Sequence, residues 1–287
     1  MTTRKIAAGR SASAGERTVK ALAFATLIIL AALMILPLYI MVSTALKTQQ
    51  DVFLFPPEWV PSPAVWHNFI DAMKARSFGR YFYNTSMYAV VGTFGEVFSS
   101  AFVAYGFSRY RGYGRGAMFL ILLATMMIPY PVTMIPQFVL FKNLGWIDSY
   151  LPLNVPSFLG SAYIIFLLRQ FFSSVPVDLF EAARLDGCSE LRTFWNIALP
   201  LCSPALASAA IFGFMYRWND YLGPLIYLNT DSKFTVSIAL SSFTSMFNIV
   251  PWHLLMAAGI VAILPPTIIF FLAQKYFVQG IVVSGLK

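Results

Sequence analysis

Residues 181–200 read EAARLDGCSELRTFWNIALP, and this polar stretch decides how the rest of the chain is read. Asp178, Glu181, Arg184, Asp186, Glu190 and Arg192 fall within fifteen positions of a chain that is only 11% charged. Strongly apolar segments flank it on both sides. Residues 173–203 therefore read as a water-exposed loop suited to docking a soluble partner.

The local chemistry predicts a helix, a turn and a second helix. Pro176 suits a first helical turn, where a missing N–H costs nothing. Asp178 sits near that N-terminus, where the helix dipole favours an anion. Leu179, Ala182 and Ala183 have the i, i+3, i+4 spacing of one apolar face. Gly187 is able to take the left-handed conformation that stops a helix, and Ser189 is suited to cap the next one. Leu191, Phe194, Trp195 and Ala198 form the expected stripe of the second helix, with Pro200 at its end. The two alanines let another surface approach the backbone closely.

Composition sets the surroundings of this loop. The 287 residues are 58% hydrophobic, against about 45–50% apolar and about 25% charged for ordinary soluble domains. The apolar runs are continuous rather than alternating, which argues against an outer-membrane barrel and for an all-α membrane protein. The net charge of +8 is not read as a nucleic-acid footprint, because its distribution follows the membrane topology. Cys188 and Cys202 lie on or near the expected cytoplasmic side, where free thiols are the rule. With His67 and His253 as the sole histidines and no Cys/His cluster, no metal site is expected.

Taken in order, residues 1–20 form a basic, polar cytoplasmic tail. Residues 21–46 carry no charge and are long enough for a first membrane helix, since a bilayer core needs about 20 helical residues. Residues 47–83 read as an external loop with Trp59 and Trp66 at the water boundary. The core domain, 84–277, holds five further helices. They are expected at 84–107, at 116–141 (broken by Pro129, Pro131 and Pro136), at 150–172, at 204–228 and at 254–277. Residues 233–253 are external, with room for a short amphipathic helix, and 278–287 form a cytoplasmic tail. Six spans with both termini inside follow from counting positive residues. Five fall in 1–20, three in 109–115, three in 169–192 and two in 275–287, all on the same side.

Several stretches resemble the sugar-type, maltose-permease-like branch of ABC importer permeases. Glu181-Ala182-Ala183, then Gly187, Ile197 and Leu199-Pro200 at their spacing, is similar to the EAA motif that binds the ATPase subunits. Pro56-Pro57-Glu58-Trp59 with Asn68-Phe69 resembles the first external loop of that branch, and Gln274–Gly280 with Ile281–Lys287 its cytoplasmic tail. Trp218-Asn219-Asp220-Tyr221-Leu222 with Pro224-Leu225 resembles its fifth-helix motif. The resemblance implies an inner-membrane permease of a prokaryote. Its implied partners are a second related permease, two cytoplasmic ATPases and an extracytoplasmic solute-binding protein. It also implies an ATPase-docking site at Glu181, Ala182, Ala183, Asp186, Gly187, Leu199 and Pro200. ATP and Mg would be used by the partner ATPase, with no cofactor bound by this chain. The solute would be a sugar or a related polyol or glycerol phosphate.

Three ionisable residues stand at membrane depth. Such groups are costly in lipid and face a cavity or a partner. Arg217 and Asp220 have i, i+3 spacing and are able to pair on one helix face. On the functional reading, Trp218, Asn219, Asp220 and Tyr221 line a solute pathway, with aromatic faces stacking on sugar rings and polar groups meeting hydroxyls. Glu96 reads as a helix–helix hydrogen bond or, with Asp220, as a coupling group of an ion-driven secondary transporter, the alternative to an ATP-driven importer. No phosphate-binding GxxxxGK[ST] loop, Ser/His/Asp set or HExxH is present, so no catalytic residue is expected.

Overall fold

The computed structural model describes residues 14–245 and 250–285, with side chains described for 18–244 and 250–274. The described residues are helical with no strand. Most of the expected basic tail, residues 1–13, and the last two residues of the C-terminal tail lie outside them.

The chain begins with α1, Ala14–Ala45, which runs through Pro37 without ending. Its apolar window has no buried residue, as suits a helix bathed in lipid on every side. Its C-terminal end joins the body, where Met41 approaches Gly259 and Ala45 packs with Ala72, Ala257 and Ala258. Asn68 donates to the carbonyls of Ala45 and Lys47, 2.8 Å each, satisfying acceptors that a helix end leaves open. Asn68 belongs to α2, His67–Lys74.

The organising element is α3, Phe78–Arg109, a rod of about 48 Å at 1.5 Å per residue. After a turn come α4, Arg115–Thr125, and α5, Tyr130–Asn143, bent by 92° to one another. The expected third helix is thus two. The break falls at Met126–Pro129, where the ring of Pro129 and its extended backbone stop the helix. Pro136, expected to break it again, lies inside α5.

Next follow α6, Leu151–Asn154, a 3₁₀ turn over Val155–Leu159, and α7, Ala162–Ser174. The loop comprises α8, Val177–Leu185; α9, Glu190–Thr193; a π-helical turn over Phe194–Ala198; and α10, Leu199–Leu201. The expected fifth helix is divided into α11, Ser203–Trp218, and α12, Leu222–Tyr227. The expected short helix appears as α13, Val236–Ser245. It is packed on α3 rather than laid on a surface, with Val236, Ala239 and Phe243 buried beside Phe78. The final helix, α14, Trp252–Gly285, passes through Pro265-Pro266 and continues beyond the expected end at Phe277.

Among the described residues, four helical segments, 18–45, 78–109, 151–174 and 252–274, are long and apolar enough to cross a membrane, or up to six if each of two bent pairs counts as one span. α3 packs on α7 and α11, and α14 packs on α11 and α1. The two ends of α3 are pinned by different chemistry. At its start, Arg76 and Tyr81 both hold Asp231, and Asn84 donates to Ser232 and Phe234 carbonyls. Nearby, Asp148 accepts from the Asn229 and Thr230 amides, the Thr230 hydroxyl and Lys233. Lys233 first, then Thr230 and the two amides, hold the Asp148 carboxyl well below the usual carboxylate range. At its other end α3 meets the polar loop.

Candidate functional sites: the docking turn and the fifth-helix break

The loop folds as a helix–turn–helix because its turn chemistry is complete. Gly187 has φ +77°, a conformation that glycine adopts without the Cβ penalty. The Gly187 N–H donates to Arg184 O at 3.0 Å and the Cys188 N–H to Ala183 O at 2.9 Å. These are the two bonds of a Schellman stop. Ser189 then accepts from the Arg192 N–H and caps α9. Across the turn, Arg184 holds Glu190 at 2.7 Å, and Tyr105 on α3 donates to the other Glu190 oxygen.

The faces differ from those expected. On α8 the buried pair is Phe180 and Ala183, while Leu179 and Ala182 are exposed. On the second helix Thr193, Phe194 and Ala198 turn inward, whereas Leu191 and Trp195 face out. Phe194 and Ala198 thus hold the inward positions expected of that stripe, and Leu191, which precedes the π-helical turn at 194–198, and Trp195 do not. Phe180 and Phe194 insert beside Tyr105 and Phe172, and Tyr105 lies 5.2 Å from Phe194 between ring centroids.

Arg109, the last residue of α3, clamps the loop. Its guanidinium donates to Phe172 O and, at 2.9 Å, to Val175 O, and it stacks 3.7 Å from the Phe180 ring. In the sequence it stands as one of three arginines marking a membrane side; its i-to-loop distance of more than sixty residues hides the clamp. Of the residues assigned to docking, Glu181, Ala182, Asp186, Gly187 and Pro200 are exposed, Leu199 is half-buried and Ala183 is buried. Leu185, at the tip, is 89% exposed.

The second site lies at the break between α11 and α12. The expected Arg217–Asp220 pair is absent from the ion pairs among the described residues. Arg217 turns instead to Glu96 on α3, Nη1 to Oε2 at 2.8 Å, and also donates to Ser157 and to the Gly213 carbonyl. It is only 5% exposed. A Cβ on Gly92 would stand 2.3 Å from Arg217 Nε, so Gly92 makes the room for the guanidinium. The cross-helix pair wins over the local one because it gives the buried Arg217 and the partly buried Glu96 each other's charge, and an unpaired buried charge is costly. Glu96, read as a helix–helix bond or a coupling group, is the counterion of that pair.

Asp220 has neutral partners: the Tyr88 hydroxyl at 2.8 Å and the Gly223 N–H at 3.1 Å. Holding that amide, it caps the start of α12. Trp218 is buried, donates to Ala262 O, and stacks on Phe214. That is core packing, so it does not stand with the exposed Asn219 and Tyr221. Tyr216, unassigned by the sequence, is 71% exposed. It lies within electrostatic reach of Asp220, as does the exposed Tyr130. Helical spacing from 216 to 219 and 220 was the available signal for Tyr216; nothing in the sequence brings Tyr130 there. No metal-binding cluster occurs among the described residues.

This arrangement is similar to known transport proteins. The chain is 34% identical over 265 residues to the sn-glycerol-3-phosphate transport system permease protein UgpE of Yersinia enterocolitica, covering 90% of this chain and 94% of that protein. It is 37% identical over 208 residues to the arabinooligosaccharides transport system permease protein AraQ of Bacillus subtilis, covering 72% and 73%. In a crystal structure of a bacterial ABC transporter involved in the import of the acidic polysaccharide alginate, one chain matches with a TM-score of 0.82 and 25% identity, over 94% of this chain and all of that one. The family described as binding-protein-dependent transport system inner membrane component matches residues 97–283, from the middle of α3 through the docking turn, the break and most of α14. With this match over residues 97–283 and these relatives, the chain belongs to that family and is an inner-membrane permease subunit of an ABC importer.

Proposed function

We propose that this chain forms one wall of a solute pathway, pairs with a second related permease, and seats a cytoplasmic ATPase subunit on residues 177–201. In the full importer two ATPases hold two such loops, and an extracytoplasmic binding protein delivers solute to the opposite end. ATP binds the closed ATPase pair more tightly than the open one, and that differential affinity drives the change of state. The helices rock as rigid bodies and the pathway opens to alternate sides. The solute is a sugar, or a related polyol or glycerol phosphate, in line with the arabinooligosaccharides and sn-glycerol 3-phosphate named for the two relatives.

One observation carries the docking assignment. An exposed helix–turn–helix is locked by its own turn bonds and clamped to the 32-residue core helix α3 by Arg109. A push on such a loop moves α3 with it, which is what transmission requires. Glu181, exposed on α8, offers a charge-assisted bond to a basic group of the ATPase. Ala182 lets that surface come close, and Gly187 shapes the turn.

The test is affinity purification from native membranes in mild detergent, with partners identified by mass spectrometry. The intact chain is expected to bring a P-loop ATPase and a second permease. Gly187→Asp is expected to insert normally yet lose both the ATPase and solute uptake. Full ATPase recovery and wild-type uptake with that variant would sink the docking assignment.

A further inference from the structure

Two acids and one base stand alone at membrane depth in this chain. Residues 21–46, 84–108, 116–141, 151–168, 203–228 and 254–274 contain no other Asp, Glu, Lys, Arg or His than Glu96, Arg217 and Asp220. Arg217 is withdrawn: it is buried, spent on Glu96, Ser157 and Gly213 O, and seated in the space that Gly92 leaves. Asp220 is different. It is only half-buried, and both of its hydrogen-bond donors are uncharged. The exposed groups that adjoin it in the chain or lie within its electrostatic reach are phenols and an amide: Tyr216, Tyr130, Asn219 and Tyr221. The surface at the break therefore carries one uncompensated negative charge, aromatic faces and neutral hydrogen-bonding groups, with no accessible cation among the described residues.

We propose that Asp220 is a charge filter that fits this wall to uncharged polyhydroxyl solutes and excludes phosphate esters and uronates. The proposal rests on the pathway reading above and narrows it. Phenol faces stack on the apolar faces of sugar rings, and a carboxylate accepts from hydroxyls. An anionic solute at the same place meets the like charge of a half-buried carboxylate, where Coulomb repulsion is stronger than between fully solvated charges. A guanidinium would be the natural partner of a phosphate, and the guanidinium here is already engaged. Specificity built on a repulsive group of this kind needs no contact with the preferred solute to be effective.

The experiment uses proteoliposomes holding the complete importer with its binding protein. Uptake is measured for labelled arabino- and malto-oligosaccharides and glycerol, for sn-glycerol 3-phosphate, and for oligouronates. The wild type is expected to take up a neutral solute and to move the anions at less than a tenth of that rate. Asp220→Asn, close to isosteric, is expected to raise the anion-to-neutral ratio tenfold or more. Asn219→Lys, which adds a cation on the exposed side, serves as a second variant and is expected to act in the same direction. Preferred uptake of the phosphate ester or the uronates by the wild type overturns the proposal, as does uptake of none of these solutes. A ratio that neither substitution moves overturns it too. The pathway reading fails separately, if Tyr216→Ala and Asn219→Ala leave uptake of every solute at the wild-type rate.

Discussion

The docking turn and the fifth-helix break are both polar interruptions of an apolar chain, yet they are built in opposite ways. The turn is local: its stop, its cap and its Arg184–Glu190 bridge connect residues at most six apart. The break is tertiary: Arg217 finds Glu96 across 121 positions, and Asp220 finds Tyr88 across 132. The difference follows from solvent. At an exposed turn water screens charges, and backbone stereochemistry decides the outcome. Inside the helix bundle an unpaired charge is too costly, so ionisable groups seek whichever partner the packing brings nearest.

The comparison is tested most severely at the break. Arg217→Ala leaves Glu96 without its partner at a site that is largely buried. A loss of about 3–5 kcal/mol is expected from such a broken pair, read as thermal unfolding in detergent. The double variant Glu96→Leu/Arg217→Met is expected to recover most of it, because no unpaired charge remains. If the single and double variants are equally unstable, the pair is not what holds the break.

At the turn, the Arg109 clamp is the charged tertiary connection, beside the neutral Tyr105 hydroxyl on Glu190, and the next largest effect. Arg109→Ala removes charged hydrogen bonds to Phe172 O and Val175 O, each kind worth about 1.5–3 kcal/mol. The loop is expected to protect its amides from hydrogen exchange less well while α3 remains intact. Uniform loss of protection across α3 and α7 would show that the clamp serves the whole bundle rather than the loop.

A smaller effect is expected at Gly187, where space is open and only the backbone objects. Gly187→Ala is expected to cost about 1–2 kcal/mol for its left-handed φ. Its hallmark is a fall in ATPase recovery larger than any fall in melting temperature. Ser189→Ala is milder, about 0.5–1 kcal/mol for the lost cap, visible as a lower denaturation midpoint of the loop with the bundle unchanged. Equal and large losses from these local changes and from Arg217→Ala would erase the distinction between the two regions.

The weakest effect concerns the pinned end of α3, with pH as the lever. Asp148 is held below its ordinary pKa, so its contribution is complete above about pH 4, the unperturbed carboxylate range. It fades as pH falls through the depressed native value. Asp148→Asn is therefore expected to lower the melting temperature slightly at pH 7, and the gap to the wild type is expected to narrow below pH 4. A gap that widens in acid would mean that Lys233 and Thr230 do not favour the charged form.

Much was legible in the residues themselves. The continuous apolar runs made the chain an all-helical membrane protein, because lipid offers backbone groups no alternative partner. Gly187, Ser189 and the small residues at 182 and 183 specified a helix–turn–helix, since caps and left-handed glycines act within a few residues. The spacing of Glu181 through Pro200 carried the family resemblance that the match over 97–283 bears out. Tertiary structure decided the rest. Which side of α8 faces inward depends on where Arg109 and Tyr105 stand, and which acid answers Arg217 depends on the room that Gly92 leaves on α3. Whether a proline breaks a helix was likewise settled by surroundings: Pro129 ends one, while Pro37, Pro136 and Pro265-Pro266 are carried inside others. Local stereochemistry is written in neighbouring residues. The pairing of buried charge is a competition among distant ones, and only the packed bundle brings the competitors together.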